Sequence, residues 1–319
     1  MSFAVATFNV ENLGRETGDE AALPARLAAL RPVLARLRAD VLCLQEVNAP
    51  RTGRKGARAF RSLDRLLEGT DYARFHRISS RRPGSDEPAD VHNLVILSRF
   101  PVEASGQLHH DLVPAWDWLP PGEAAPVRAL FDRPILHARL RGPAGPLHVL
   151  NLHLRAPRAA HLPADKAQGR WTSSAGWAKG FFLAAQLRQA QALEARLFIE
   201  GIFDSEPEAR LLVCGDLNAD SFETPTRLLC GAPEDGAPGG DRAFAGRWLE
   251  RLDARVEAGS RHSVIHDGRR VLLDHLLASP ALARACAGVE ILNEGLADEA
   301  RAQAAVAGSL HAPAVARFT

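Results

Sequence analysis

The chain is built from short apolar runs that each stop on a small polar group, and this repetition limits the fold more than any single motif does. Thr7-Phe8-Asn9-Val10-Glu11-Asn12 closes the first run. Leu44-Gln45-Glu46-Val47, Asn151-Leu152-His153-Leu154 and Gly215-Asp216-Leu217-Asn218 close three more. Leu273-Asp274-His275 and Ser309-Leu310-His311-Ala312-Pro313 complete the set. Short runs of this kind, alternating or solidly apolar between Gly, Pro and charge, read as strands. The pattern predicts strands over 2–9, 41–45, 92–97, 135–140, 147–154, 211–214, 263–266, 271–278 and 314–318. His266-Asp267-Gly268-Arg269 reads as a tight hairpin, with Gly supplying positive φ.

Helical spacing is clearest over 24–38, where Leu27, Leu30, Leu34 and Leu37 share one stripe. Pro24 suits a first turn, whereas Pro32 is expected to kink or break the helix. Residues 60–67 and 180–202 are the other helices. Segments 51–58, 81–89, 116–126, 156–178 and 231–240 read as weakly structured. Core-forming runs resume on both sides of each, so none reads as a linker and 1–319 is expected to be a single domain, with a basic-aromatic insertion around 155–200.

Net charge is +1 over 319 residues, so any preference for polyanions must come from local patches. Cys43, Cys214, Cys230 and Cys286 form no C-x-x-C pair, and buried thiols fit them better than zinc or disulfides. No run is apolar enough to span a bilayer, and the first residues show no basic region followed by an apolar stretch, so the expectation is no secretory leader before the strand near Phe3. A cytoplasmic location is the expectation. P-loop, nucleophile-elbow and H-E-x-x-H signatures are missing from the sequence.

Taken singly, each polar group has an ordinary structural explanation. Glu46 could be a solvated strand end, Asp216 and Asn218 an Asx turn, and His153 a satisfied core residue. Those readings leave the joint order unexplained. Asn9, Glu11 and Glu46 offer oxygen ligands for one hard cation, which needs only one or two protein carboxylates. Asp274 and His311 could pair as an acid orienting an imidazole, while His275 should face away in a structural role.

In this order the motifs resemble the endonuclease/exonuclease/phosphatase superfamily, which includes DNase I-like nucleases, AP endonucleases, inositol polyphosphate 5-phosphatases and neutral sphingomyelinases. The resemblance runs from Thr7 to Phe318, and G-D-x-N and S-x-H-x-P are its most specific parts. It implies an α/β fold: a four-layer α/β/β/α sandwich, two mixed sheets packed face to face with helices outside and the site at one rim. It implies that Glu46 is the main ligand of Mg2+ (Mn2+ as substitute), with Asn9 and Glu11 completing the metal environment. Asp216 would orient or deprotonate water, Asn218 would hold that water or phosphate, and His153 would stabilise phosphoryl charge or protonate the leaving group. His311 would contact the scissile phosphate, with Asp274 fixing its ring.

Leu310 departs from the family pattern, which has Ser-Asp-His where this chain has Ser-Leu-His. An apolar side chain cannot replace a ligand, so reduced turnover or a one-metal mechanism is expected. The leading expectation is a metal-dependent phosphodiesterase or nuclease. A phosphatase acting on a small or lipid phosphomonoester is second, and a catalytically silent phosphate-binding module third. The partner is a phosphoester, with nucleic acid among the candidates; oligomeric state is not legible. Arg51, Arg54, Lys55, Arg58 and Arg61 form one basic patch. Arg155, Arg158, Lys166 and Arg170, followed by Trp171, Trp177, Phe181 and Phe182, form a second. The first could track phosphates beside the rim, and the second suits phosphate contacts with base stacking, a lid over a small phosphodiester or a lipid headgroup; a solvated arginine-rich face with packing aromatics is the plain alternative.

Overall fold

The strands form two six-stranded mixed sheets in a computed structural model that describes residues 2–14, 22–51, 53, 56–231, 241–302 and 307–319. In the first sheet the strands lie in the order Cys286–Ile291, Ala314–Phe318, Phe3–Leu13, Val41–Val47, Asn93–Ser98, His76–Ser79. The second sheet runs Glu250–Arg251, Asp274–Ala278, Leu211–Asp216, Gly145–His153, Ile135–Gly142, Val102–Leu108. Each sheet holds one parallel pair at its centre, Phe3–Leu13 with Val41–Val47 and Leu211–Asp216 with Gly145–His153. Both pairs therefore end on the same kind of edge, with their polar groups at the strand C-termini.

Alternation along the strands builds the layers. Val5, Val41, Cys43, Leu94 and Ile96 of the first sheet meet Ala138, Val149, Leu212, Cys214 and Leu276 of the second. The intervening residues Ala4, Ala6, Phe8, Leu42 and Leu44 pack outward on Leu27, Leu30, Leu34 and Leu37 of the helix Ala22–Leu37 and on Leu63 and Leu66 of the helix Arg61–Leu67. On the other side Leu150, Leu152 and Val213 pack on Ala192, Ala195, Ile199 and Phe203 of the helix Ser174–Ser205. The result is the expected four-layer α/β/β/α sandwich. Cys43 and Cys214 are fully buried between the sheets, and burial with each other's proximity pushes the Cys43 thiol up.

Pro32 does not break its helix, which runs unbroken from Ala22 to Leu37. The ring sits on the exposed face, and the carbonyl it leaves without a donor belongs to Ala28, also exposed, where water can satisfy it. Residues 156–178 are not wholly irregular either. Lys166–Ala167 and Arg170–Trp171 pair as a small hairpin, and the long helix already begins at Ser174. Ser173 caps it by accepting the Gly176 N–H at 3.0 Å. The glycines that hid this helix are required by packing: a Cβ on Gly180 would lie 2.5 Å from the Ala160 carbonyl oxygen. Within 116–126, Trp116–Trp118 is likewise a strand, paired with Val127–Ala129. Residues 232–240, Arg54 and Lys55 lie outside the described residues.

The 271–278 run divides into Arg269–Val271 and Asp274–Ala278. The Ser263 hydroxyl accepts the N–H groups of both Leu273 and Asp274 at 3.0 Å, bending the chain there. The Asp267-Gly268 hairpin forms as expected, with φ of +47° and +76°.

Candidate active site

Two irregularities in the first sheet aim Glu46. The register slips between Asn9 and Leu13 on one side of its strand and between Leu44 and Val47 on the other. Bulges of this kind re-aim a side chain at a sheet edge. Among the described residues, five of the nine non-glycine positions with left-handed backbone collect at this rim: Glu11 (+48°), Asn12 (+55°), Glu46 (+59°), His92 (+59°) and Asn218 (+47°). Asn and His tolerate that conformation, but the two glutamates gain nothing from it, so their strain must be held by surrounding bonds.

Those bonds are visible. The Glu46 carboxylate accepts the Asn12 N–H at 3.0 Å and Asn9 Nδ2 at 3.3 Å. Arg26, from the outer helix, donates to the carbonyls of Glu11 (2.7 Å) and Gly308 (2.8 Å), tying the first strand's end to the C-terminal loop. Below Glu46 the two sheets are braced by buried amides. Gln45 Nε2 donates to Asn151 Oδ1 at 2.7 Å. Asn151 Nδ2 in turn donates to the carbonyls of Leu44 and Val95, both at 3.0 Å, filling the gap the bulge opens.

The second sheet supplies the facing groups. Gly215 lies with φ of +134° against the neighbouring strand, where a Cβ would fall 1.9 Å from the Leu152 carbonyl oxygen. Only glycine lets the two parallel strands pass that closely, and the next residue is Asp216. Asp216 Oδ2 lies 3.0 Å from Asn9 Nδ2, 3.4 Å from His153 Nε2 and 4.0 Å from His311 Nε2. Its other oxygen accepts the Asn218 N–H at 2.8 Å. His153 Nε2 is also 3.8 Å from the Glu46 carboxylate. Asp274, fully buried, accepts from His311 Nδ1 at 2.8 Å. Thus Glu46, Asn9, His153, Asp216, Asn218, Asp274 and His311 meet in one cleft between the sheet rims.

Glu11 sits differently. Its carboxylate accepts the Leu310 N–H at 2.8 Å and so grips the C-terminal loop. Ser309 Oγ donates to the Asn9 carbonyl at 2.7 Å and accepts the His311 N–H at 3.0 Å, which delivers His311 to the cleft. His275 points away, fully buried between Asp253 (3.0 Å) and the Ala219 carbonyl (2.9 Å).

Electrostatics separate His153 from His311. Burial, reinforced by Arg133, His92 and His311, pushes His153 well below the usual imidazole range. Burial also works against charge on His311, but Asp274, Asp216 and Glu46 overcome it and raise the ring to about 10. Asp216 is raised to about 6 by burial, with His311 opposing and Asp274 and Glu46 adding to the rise. The crowd of acids suits a hard divalent cation. Ligand atoms of Asp216, Asp274 and His311 lie within 4.8 Å of one another. Buried Asp274 Oδ1 and His153 Nδ1 have no hydrogen-bond partner, as expected where a ligand completes the set.

Two cleft residues escaped sequence reading. Arg133 donates weakly to the His153 and Leu154 carbonyls (3.3 and 3.4 Å), and its charge is felt by Glu46 and Asp216. His92 Nε2 bonds Asn12 Oδ1 at 3.0 Å and lies 4.0 Å from the Glu46 carboxylate. A lone Arg before Pro134 and a lone His opening a strand carry no motif. In the first basic patch, Arg51 pairs with Glu87 at 2.9 Å and Arg58 with Asp90.

A two-sheet sandwich with acids and imidazoles converging between the sheet rims defines the DNase I-like class of α/β proteins. Within that class the chain belongs to the Endonuclease/Exonuclease/phosphatase family, whose sequence model matches residues 6–298. Comparison with curated proteins by sequence finds no match. The fold is similar to truncated TDP2 from Caenorhabditis elegans, with a TM-score of 0.56, 16% identity, and 99% and 97% of the two chains covered. It is similar to the 3′ phosphatase NExo from Neisseria bound to a product DNA hairpin (TM-score 0.55, 17% identity, 99% of each chain covered). An endonuclease/exonuclease/phosphatase family protein from Bacteroides thetaiotaomicron gives a TM-score of 0.59 at 14% identity, covering 100% of this chain and 95% of its own.

Proposed function

We propose that residues 1–319 form one catalytic domain that hydrolyses a phosphodiester with water, using Mg2+ or, in substitution, Mn2+. The observation that carries this reading is the position of Asp216 Oδ2, 3.0 Å from Asn9 beside Glu46 and 3.4 and 4.0 Å from the two imidazoles. One acid thus stands between a cation-binding side and a phosphate-binding side. Glu46 would hold the cation, which would supply Lewis-acid charge neutralisation at a phosphoryl oxygen. Asn9, whose Nδ2 donates to Glu46 and Asp216 and whose Oδ1 accepts the Glu11 N–H at 2.9 Å, orients those two carboxylates rather than ligating.

The protein groups carry the protons. Asp216, raised toward neutrality, accepts a proton from the attacking water as the new P–O bond forms. The ester P–O bond breaks opposite, and the leaving oxygen takes a proton from the His311 imidazolium, which Asp274 keeps charged. Neutral His153 contributes a hydrogen bond rather than a charge. Asn218, fixed by its Nδ2 bond to the Leu154 carbonyl (3.0 Å), orients water or phosphate. Glu11 serves as the loop's clamp. A cytoplasmic setting and nucleic acid as one diester source belong to the same proposal.

A divalent-metal panel over a bis-aryl phosphodiester, an aryl phosphomonoester and single- and double-stranded DNA tests the reading. Metal-dependent turnover of the diester above the monoester is the expected result. Monoester turnover alone would make the chain a phosphatase. Phosphate binding without turnover, even in manganese, would support a silent module, the reading that Leu310 favours.

Leu310 offers a sharper probe. Its loop is held through its backbone N–H and through Ser309, so an aspartate there leaves those bonds in place. Leu310→Asp is expected to raise magnesium-dependent turnover by roughly ten-fold or more, as an added charge-stabilising group should. An unchanged rate would show the position to be dispensable.

A further inference from the structure

The long helix overshoots the sheet it covers. Arg188 bonds the Asn218 carbonyl at 2.6 Å, level with the cleft, yet the helix starts back at Ser174. Its first turns therefore reach roughly 20 Å past the strand ends at 1.5 Å per residue, on the side of the cleft. The inward face of this overhang is occupied. Leu183, Ala184 and Leu187 pack with Phe131, Leu162 and Trp171 in a cluster separate from the main cores. The outward face is not. Trp177 is 46% exposed, Phe181 40%, Phe182 49% and the adjoining Leu119 56%.

We propose that this aromatic ridge docks the protein on the headgroup–acyl boundary of an anionic lipid bilayer. Bulky aromatics of this kind sit at lipid–water interfaces, where one end is apolar and the other wet. A contiguous apolar patch on a soluble surface marks an interaction site rather than chance exposure. Charge selects the occupant. In the same overhang Asp117 pairs with Arg128 at 3.1 Å and Asp132 with Arg155, and the single Lys179 ammonium lies 2.8 Å from both Asp165 and Glu123. Lys166, above the Trp171 ring at 4.6 Å, and Arg170 beside it have no carboxylate partner among the described residues. Lys166 and Arg170 thus put positive charge beside the ridge, which complements an anionic surface.

Nucleobases fit the ridge less well. Trp177 and Phe181 stack on each other at 5.2 Å and 23°, and Phe182 packs on Trp118 at 5.6 Å, so each ring spends one face on a neighbour. No described helix is long and apolar enough to cross a membrane, so the contact is peripheral.

The full chain is tested by cosedimentation with phosphatidylcholine vesicles, with and without phosphatidylglycerol. Binding to the phosphatidylglycerol vesicles is expected, with quenching of tryptophan fluorescence by brominated lipid. The triple variant Trp177→Ser/Phe181→Ser/Phe182→Ser should lose binding by about ten-fold or more. Lys166→Glu/Arg170→Glu should lose the preference for anionic vesicles. Thermal melting and turnover of a soluble diester report whether each variant is folded, since none of these residues touches the cleft. Binding is read without turnover, so its outcome is separate from that of the hydrolase reading. Wild-type protein left in the supernatant and unquenched overturns the proposal. So does a folded triple variant that binds as well as wild type, or a wild-type dimer that the triple variant dissociates without any vesicle contact.

Discussion

Glu46→Gln is expected to lower metal-dependent hydrolysis by about three orders of magnitude while leaving the fold intact, the size of loss typical when transition-state charge stabilisation is removed. The glutamine keeps the shape that accepts the Asn12 N–H, so the left-handed turn at position 46 survives. It also removes one of the negative charges that lift Asp216 toward 6. Without metal the variant should therefore melt no lower than wild type, consistent with a site that trades stability for function. Added magnesium should raise the wild-type melting temperature and not the variant's, because only a ligand that binds the native state stabilises it. Calorimetric metal binding together with the two melting curves checks this. Full activity in Glu46→Gln would sink the metal assignment.

The second large effect lies on the other side of the cleft. His311→Gln is expected to cost on the order of a hundred-fold or more in turnover, the usual worth of a positioned general acid. Asp274→Asn tests the cause of the ring's charge. The folded-state value of His311, about 10, stands above the ordinary 6.5. Protonation of this ring therefore stabilises the fold fully below about 6.5, and that contribution is lost as pH rises through about 10. Removing the Asp274 carboxylate should move the alkaline limb of the rate profile downward, toward the unperturbed imidazole value. A pH–rate profile of Asp274→Asn with an unmoved alkaline limb would show that Asp274 does not hold the proton on His311.

The central strands were legible because each is buried on both faces or alternates cleanly. Leu211–Asp216 and Ala314–Phe318 were recovered nearly to the residue. The edge strands were not. Val102–Leu108 is mostly exposed and reads V-E-A-S-G-Q-L, with too few apolar positions to show a period. Cys286–Ile291, at the other sheet's edge, fails for the same reason. Gly176 and Gly180 hid the start of the long helix, since their packing against Asp165 and Ala160 is a tertiary demand that no local propensity reports.

In the cleft, the meeting of Asp274 with His311 was legible as motif order, whereas the Asn9–Asp216 bond, across 207 positions, was not. The clamp that Glu11 makes on Leu310 was not legible either, because no local signal marks which backbone N–H a carboxylate will accept. Arg133 and His92 gave no signal at all: a single charged residue between strands is the commonest surface feature of any chain.

The amide brace of Gln45 and Asn151 has a consequence for folding. Glu46 belongs to one sheet and His153 to the other, and these two residues precede them by one and two positions in their strands. A collapsed form with both sheets built but slipped past each other by a single residue would keep most of its apolar burial and have no working cleft. Recovery of hydrolysis after dilution from denaturant should therefore lag behind recovery of secondary structure, making the chemistry a clock for the final docking event.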